Sequence, residues 1–124
     1  MAKILLVDDD DSIRKMLRIA LTRMGHEVED VANGSLAWAN YQARPADLVI
    51  MDLIMPEKEG LETIRLFRRN GAKTKILAIS GGGRMDARDL LVIAEQLGAD
   101  KALAKPFTTE ELAEALRILL PEKV

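Results

Sequence analysis

Residues 3 to 9 read Lys3-Ile-Leu-Leu-Val-Asp-Asp9, and this short stretch decides the fold. Positions 4–7 are apolar without interruption, a pattern typical of a strand that is covered on both of its faces. A second run of the same kind, Leu48-Val-Ile-Met51, also leads directly into an aspartate, Asp52. Strands buried on both faces belong to parallel sheets with helices on either side. The sequence therefore predicts an α/β fold.

Outward from these two runs, short apolar segments alternate with amphipathic ones along the whole chain. Further strands are predicted at residues 26–31, 75–79 and 102–104, the first of them alternating and suited to an edge. Helices are predicted at residues 12–24, 35–42, 60–69 and 85–97, with Asp11 as the N-cap of the first. A fifth helix is predicted to start after Thr108-Thr109-Glu110-Glu111, with a threonine cap, and to end at Pro121. Five βα repeats with right-handed crossovers form a doubly wound five-stranded parallel sheet.

The composition sets limits on the class of protein. A chain of 124 residues fits one domain, so we expect residues 1–124 to form a single unit. Cysteine is absent, which excludes disulfides and thiol chemistry. A formal net charge of −2 gives no electrostatic footprint for nucleic acid. The sequence contains no apolar stretch long enough to cross a bilayer, so a soluble cytoplasmic protein is the expectation.

Polar residues stand where the predicted strands end. In an open parallel sheet, ligands bind at the carboxyl ends of the strands. Those ends carry three kinds of group, namely carboxylates, a hydroxyl and an ammonium, supplied by Asp8, Asp9, Asp52, Ser80 and Lys105. Crowded carboxylates raise one another's pKa, and a hard cation such as Mg²⁺ resolves the conflict. The set suits phosphoryl transfer, in which a carboxylate can be the nucleophile. Asp10 and Asp11 are interpreted as capping or surface residues.

Four segments in this order resemble those of response-regulator receiver domains. They are Lys3-Ile-Leu-Leu-Val-Asp-Asp9, Asp52-Leu-Ile-Met-Pro56 with Gly60 downstream, Ala78-Ile-Ser-Gly81, and Lys105-Pro-Phe107. The resemblance covers essentially the whole chain. It implies a flavodoxin-like (βα)5 sheet with strand order 2-1-3-4-5 and a bound Mg²⁺.

The resemblance also implies a role for each site residue. Asp52 is the phosphoacceptor, Ser80 the switch hydroxyl and Lys105 the phosphoryl contact. The implied metal ligands are Asp9 and Asp52 directly, Asp8 through water, and the backbone carbonyl of Ile54. A cis peptide bond is implied between Lys105 and Pro106.

Three positions depart from the commoner family pattern, and one of them, Glu59 in place of the commoner aspartate before Gly60, is expected to be neutral. Ala102 stands where the family usually carries an aromatic residue that reports phosphorylation, so the readout is expected to run instead through the loop after Ser80 and the fourth helix. Ile54 is apolar where fast-cycling relatives carry a polar group, which predicts slow loss of the phosphoryl group.

The function implied is that of a stand-alone single-domain response regulator rather than a turnover enzyme. Its expected partners are a sensor histidine kinase or histidine phosphotransfer protein and a downstream protein target. The target would dock on helix four, strand five and helix five, with no nucleic acid and no membrane involved. A monomer or a weak phosphorylation-dependent dimer is expected. The alternatives are a small Mg²⁺-dependent phosphatase, a receiver excised from a longer protein, and a pseudo-receiver. The phosphatase usually needs a second aspartate where Ile54 stands.

The remaining distinctive residues are interpreted as structural. His26 is predicted to lie on the surface, and Trp38 in the core or half-buried. The methionines Met16, Met24, Met51 and Met55 are predicted to be core or pocket wall. A solvated helix end is predicted for the basic residues Arg65, Arg68, Arg69, Lys73 and Lys75.

Overall fold

The computed structural model describes residues 1–53, 59–81 and 87–122. Within these residues, five strands alternate with five helices. The strands are β1 (Lys3–Val7), β2 (Glu27–Val31), β3 (Leu48–Asp52), β4 (Lys75–Ser80) and β5 (Lys101–Ala104). The helices are α1 (Asp11–Arg23), α2 (Gly34–Ala43), α3 (Glu59–Arg69), α4 (Ala87–Leu97) and α5 (Thr109–Leu119). The predicted α/β class is confirmed, with small shifts at the ends of elements. Residues 85 and 86, where the fourth helix was predicted to begin, lie outside the described residues.

The five strands form one parallel sheet in the order β2-β1-β3-β4-β5. This confirms the expected order 2-1-3-4-5. The register places Val7 of β1 opposite Val31 of β2 and Met51 of β3. At the other side of the sheet, Ser80 is opposite Ala104. The carboxyl ends of the strands are therefore level with one another, so residues that follow them share one edge.

Each face of the sheet has its own hydrophobic core. Alternate residues of a strand point to opposite faces, so Ile4 and Leu6 of β1 join one cluster while Leu5 and Val7 join the other. The first cluster is closed by α1 and α5, and the second by the helices between them in the chain. Phe67 is fully buried in the second cluster. Truncation of such a side chain to alanine typically costs about 3–5 kcal/mol.

The two predicted helix caps have different outcomes. The N-cap of α1 is Asp10, whose carboxylate accepts hydrogen bonds from the amides of Ser12 and Ile13, so the prediction of Asp11 was wrong. Asp10 has an extended backbone that turns its side chain back over these amides, whereas Asp11 is already helical. At α5, Thr108 and Glu111 form a reciprocal capping box, which confirms the threonine cap.

His26 is buried, so the prediction of a surface residue was wrong. Its side chain is only 6% exposed, and its Nδ1 accepts a hydrogen bond from the backbone amide of Ala2 at 3.1 Å. Gly25, with φ of 94°, turns the chain from α1 into β2 and so brings His26 against the segment that leads into β1. Burial lowers the pKa of His26, and the positive charge of the N-terminus lowers it further.

The other structural predictions are largely supported within the described residues. Trp38 is half-buried and meets Phe67 edge-on at 5.0 Å between ring centroids. Met51 is buried and Met24 half-buried, whereas Met16 is 62% exposed. Met16 lines a cavity of about 550 Å³ between α1 and the β5–α5 connection, so it belongs to a pocket wall and not to the core. Met55 lies outside the described residues.

Arg68 is an exception to the predicted solvated basic cluster. Its guanidinium donates to the carbonyls of Gly98, Ala72 and Thr74 at 2.7–2.9 Å, and to Asp100 Oδ2 at 2.7 Å. A planar group with five N–H donors can satisfy several carbonyls at once where helices end. Arg68 therefore joins the ends of α3 and α4 to the start of β4.

Carboxylates also hold the amino-terminal edge of the sheet. Asp47 Oδ2 accepts a hydrogen bond from the Lys3 amide, and Asp100 Oδ2 accepts one from the Ile76 amide, each at 2.8 Å. Both amides lie at the beginning of a strand. No helix in the part of the chain described is both long and apolar enough to cross a membrane.

Candidate functional site

The predicted site residues meet at the carboxyl edge of the sheet. Asp8 and Asp9 directly follow β1, and Lys105 directly follows β5. Asp52 is the last residue of β3, and Ser80 is the last residue of β4. Parallel strands in level register bring these chain positions together, although up to 97 positions separate the two ends of the set in sequence.

Three carboxylates form the centre of the site. Asp8, Asp9 and Asp52 each offer an oxygen, and these oxygens all lie within 4.8 Å of one another. Asp8 and Asp52 are buried, whereas Asp9 faces solvent. Like charges at this distance repel strongly unless a cation lies among them. The cluster is therefore open to solvent on the Asp9 side and closed beneath.

Lys105 supplies a fixed positive charge to the buried pair. Its Nζ lies 3.7 Å from Asp8 Oδ2 and 3.6 Å from Asp52 Oδ1. The Lys105 amide donates to the Ser80 carbonyl at 2.7 Å, which extends the pairing of β4 and β5 to the edge. The peptide bond from Lys105 to Pro106 is cis, as the resemblance implied.

Among the described residues, two buried side-chain atoms at the carboxyl edge of the sheet have no hydrogen-bond partner. Asp8 Oδ1 accepts from the Asp10 amide at 2.9 Å, but Asp8 Oδ2 is buried without a hydrogen-bond partner. The Ser80 hydroxyl is also buried and unpartnered. An unsatisfied buried polar group costs about 1–3 kcal/mol, so such atoms in a native fold call for an explanation.

The donor set fits a hard divalent cation. Three carboxylates and one ammonium leave a formal charge of −2, which one Mg²⁺ balances. The buried Asp8 Oδ2 is an oxygen ligand of the kind that Mg²⁺ prefers. The acidic pocket can therefore hold a metal ion. The predicted fourth protein ligand, the carbonyl of Ile54, lies outside the described residues.

Two glycines allow the close packing around the site. A Cβ at Gly60, near the start of α3, would lie 2.5 Å from the carbonyl oxygen of Asp52. A Cβ at Gly81 would lie 2.3 Å from the Lys105 Cβ. Both distances are shorter than van der Waals contact, so a side chain at either position would displace a site residue. The predicted loop glycines 82 and 83 lie outside the described residues.

Arg14 is a site neighbour that the sequence analysis missed. Its Nη1 donates to the backbone carbonyl of Asp8 at 2.9 Å, from the first turns of α1. Its spacing of three residues from Asp11, with which it pairs, is the only signal in the sequence. That spacing shows a helical ion pair but not the contact with β1.

Comparison with known proteins agrees with this architecture. The sequence model of the response regulator receiver domain matches residues 4–117. The transcriptional regulatory protein QseB of Haemophilus influenzae is 35% identical over 118 residues, which cover 95% of this chain and 52% of QseB. The chain thus spans about half the length of this relative, and about half of several others.

Solved structures match over nearly the full length. Chemotaxis protein CheY4 of Vibrio cholerae superposes with a TM-score of 0.84 at 34% identity, covering 97% of this chain and 99% of that one. A putative response regulator of Chloroflexus aurantiacus has a TM-score of 0.87 at 28% identity, covering 98% of each chain. On its sequence and its fold, the chain belongs to the response regulator receiver domain family.

Proposed function

We propose that this chain is a phosphorylated switch of a two-component or phosphorelay system, with Asp52 as the phosphoacceptor. Receiver domains are the response-regulator part of two-component systems, and the chain belongs to that family. One observation identifies Asp52 as the proposed acceptor. The buried Asp52 carboxylate has a lysine ammonium 3.6 Å away and two further carboxylates within 4.8 Å.

The proposed reaction is a phosphoryl transfer from a phospho-histidine. An oxygen of Asp52 forms a bond to phosphorus while the phosphorus–nitrogen bond of the donor breaks, and the imidazole leaves with the bonding pair and takes up a proton. The donor would be a sensor histidine kinase or a histidine phosphotransfer protein. Such transfers depend mainly on positioning and on neutralising the equatorial oxygens.

Three groups of this chain would support the transfer. Asp8, Asp9 and Asp52, with the carbonyl of Ile54, would hold Mg²⁺, which when bound neutralises charge on the phosphoryl oxygens. Lys105 would pair with one phosphoryl oxygen, because its ammonium already lies beside the acceptor carboxylate. The Ser80 hydroxyl would donate to another phosphoryl oxygen, and this would satisfy a buried group that has no hydrogen-bond partner among the described residues.

The proposed output is a change in protein contacts rather than turnover of a substrate. Ala102 is half-buried in β5, opposite Ala78, and offers only a methyl group where relatives commonly use an aromatic side chain. The proposed docking surface for a protein target comprises α4, β5 and α5. It includes Val92 and Ile118, which are about half exposed. We further propose that the domain acts in the cytoplasm, as a monomer or as a weak dimer when phosphorylated.

The direct test is incubation with Mg²⁺ and acetyl phosphate, followed by intact mass. We expect one phosphoryl adduct on the parent chain and none on Asp52→Asn. The control Asp47→Asn removes a carboxylate at the opposite edge of the sheet and should leave the adduct unchanged. No adduct on the parent, or an unchanged adduct on Asp52→Asn, would contradict the proposal. The parent adduct should also outlast that of Ile54→Asn, and equal lifetimes would count against slow dephosphorylation.

A further inference from the structure

Arg14 joins three chain segments around the proposed metal site. Its side chain is only 18% exposed although it lies near the start of α1. Nη1 donates to the Asp8 carbonyl at 2.9 Å, and Nη2 donates to Asp11 Oδ1 at 2.7 Å. Nε lies 3.4 Å from Asp30 Oδ2 at the end of β2, an ion-pair distance without hydrogen-bond geometry. One guanidinium therefore spans the ends of β1 and β2 and the first turn of α1.

The contact with the Asp8 carbonyl bears on Asp9 because a peptide unit is planar. The Asp8 carbonyl, the Asp9 amide and the Asp9 Cα lie in one plane. A hydrogen bond that fixes the carbonyl therefore also fixes the position of the Asp9 Cα, from which the Asp9 side chain extends. The other side of Asp8 is already held, since its amide donates to the Val31 carbonyl at 3.2 Å. Arg14 therefore completes the positioning of the Asp8–Asp9 peptide.

Arg14 does not neutralise the charge of the clustered carboxylates. Its positive charge is matched by Asp11 and Asp30, which are not among the three clustered carboxylates. In the described part of the chain, the cation that faces those carboxylates is Lys105. The contribution of Arg14 to the site is thus geometric, through a backbone carbonyl.

We propose that Arg14 is a positioning residue for the divalent-cation site, acting by fixing the peptide between Asp8 and Asp9. The inference rests on the proposed function in so far as that function places Mg²⁺ at these carboxylates. Groups that orient metal ligands typically change metal affinity by about 10–100-fold when they are removed. We expect a loss of that order in Arg14→Ala.

Arg18 provides a matched control one helical turn away. It pairs with the same Asp30, through Nη1 at 3.0 Å, and its side chain is 48% exposed. Arg18→Ala removes an arginine from the same ion-pair group without touching the Asp8 carbonyl. Arg14→Lys is the conservative variant, because a lysine keeps the charge and the aliphatic stem but lacks the planar fork by which one guanidinium donates to both the Asp8 carbonyl and Asp11.

The experiment is a calorimetric titration of each full chain with Mg²⁺ alone, at a temperature where thermal unfolding shows every variant to be folded. We expect Arg14→Ala to bind Mg²⁺ about tenfold or more weakly than the parent, Arg14→Lys to be intermediate or equally weak, and Arg18→Ala to stay within about twofold. If Arg14→Ala fails to fold, the comparison of Arg14→Lys with Arg18→Ala decides the question.

A second measurement separates positioning from a general structural defect. The Mg²⁺ concentration that gives half-maximal phosphorylation by acetyl phosphate should rise in Arg14→Ala, while the rate at saturating Mg²⁺ recovers toward that of the parent. Equal Mg²⁺ affinity in Arg14→Ala and Arg18→Ala would overturn the inference and leave the phosphoacceptor proposal intact. A parent chain that takes up no Mg²⁺ would overturn both.

Discussion

Replacement of Asp8 by asparagine should stabilise the metal-free protein, although it removes a buried ion pair. At an effective dielectric constant near 20, each carboxylate within 4.8 Å of Asp8 contributes a repulsion of at least about 3.5 kcal/mol. The attraction between Asp8 Oδ2 and Lys105 Nζ at 3.7 Å is about 4.5 kcal/mol on the same scale. Solvent weakens the repulsion between the exposed Asp9 and Asp8. Asparagine, however, is neutral, so the variant also avoids the desolvation free energy of a buried charge. We expect a net gain of about 2 kcal/mol.

The assay is urea unfolding in EDTA and in excess Mg²⁺. In EDTA, Asp8→Asn should be the more stable protein. Mg²⁺ at about 100 times its dissociation constant should add about 2.7 kcal/mol to the parent, so the difference should close or reverse. Asp47→Asn is the control, because the Asp47 carboxylate accepts a hydrogen bond from the Lys3 amide at the opposite edge of the sheet. It should lose about 1 kcal/mol in both buffers. Loss of stability by Asp8→Asn in EDTA, or an undiminished response of this variant to Mg²⁺, would refute the reasoning.

Three further predictions follow from single side chains. Ser80→Ala removes a buried hydroxyl without a partner, so it should raise the free energy of unfolding of the unmodified chain by about 1 kcal/mol; a loss in urea unfolding would contradict this. Gly81→Ala places a methyl group 2.3 Å from the Lys105 Cβ, so urea unfolding should show a free energy of unfolding lower by about 1–3 kcal/mol. Acetyl phosphate should also label this variant more slowly, and unchanged labelling would show that Lys105 did not move. Because the pKa of His26 is lowered on folding, the unfolded chain binds the proton more readily, and stability should fall as the pH drops below the ordinary value of 6.5. The slope from this group is at most about 1.4 kcal/mol per pH unit and should disappear in His26→Gln, as measured by denaturation at several pH values.

The sheet and the position of the site were predictable because both depend on local pattern. A strand covered on two faces must be apolar at consecutive positions, as residues 4–7 and 48–51 are. Once the strands are parallel, the residues that follow them must share an edge. Asp8, Asp52 and Ser80 could therefore be brought together without any knowledge of the loops. The strand order itself was not derivable from the pattern and came from the resemblance.

The errors concern contacts between distant parts of the chain. His26 is buried because the segment at Ala2 covers it, 24 residues away in sequence. Arg68 finds its partners up to 32 residues away, at the end of α4 and the start of β5. Neither contact produces a periodic pattern in the sequence from which it could be predicted. The prediction of the α1 N-cap was wrong for a different reason. Residues 8–11 are all aspartates, so the residue type could not distinguish Asp10 from Asp11.

The carboxylates of Asp47 and Asp100, which hold strand-initial amides, have a consequence for how this domain tolerates change. They stabilise the sheet at the end where no chemistry is proposed. Substitutions among the clustered carboxylates leave these two hydrogen bonds in place, so a variant without Asp52 would keep the sheet. Such a variant should therefore stay folded after it has lost the proposed phosphoacceptor.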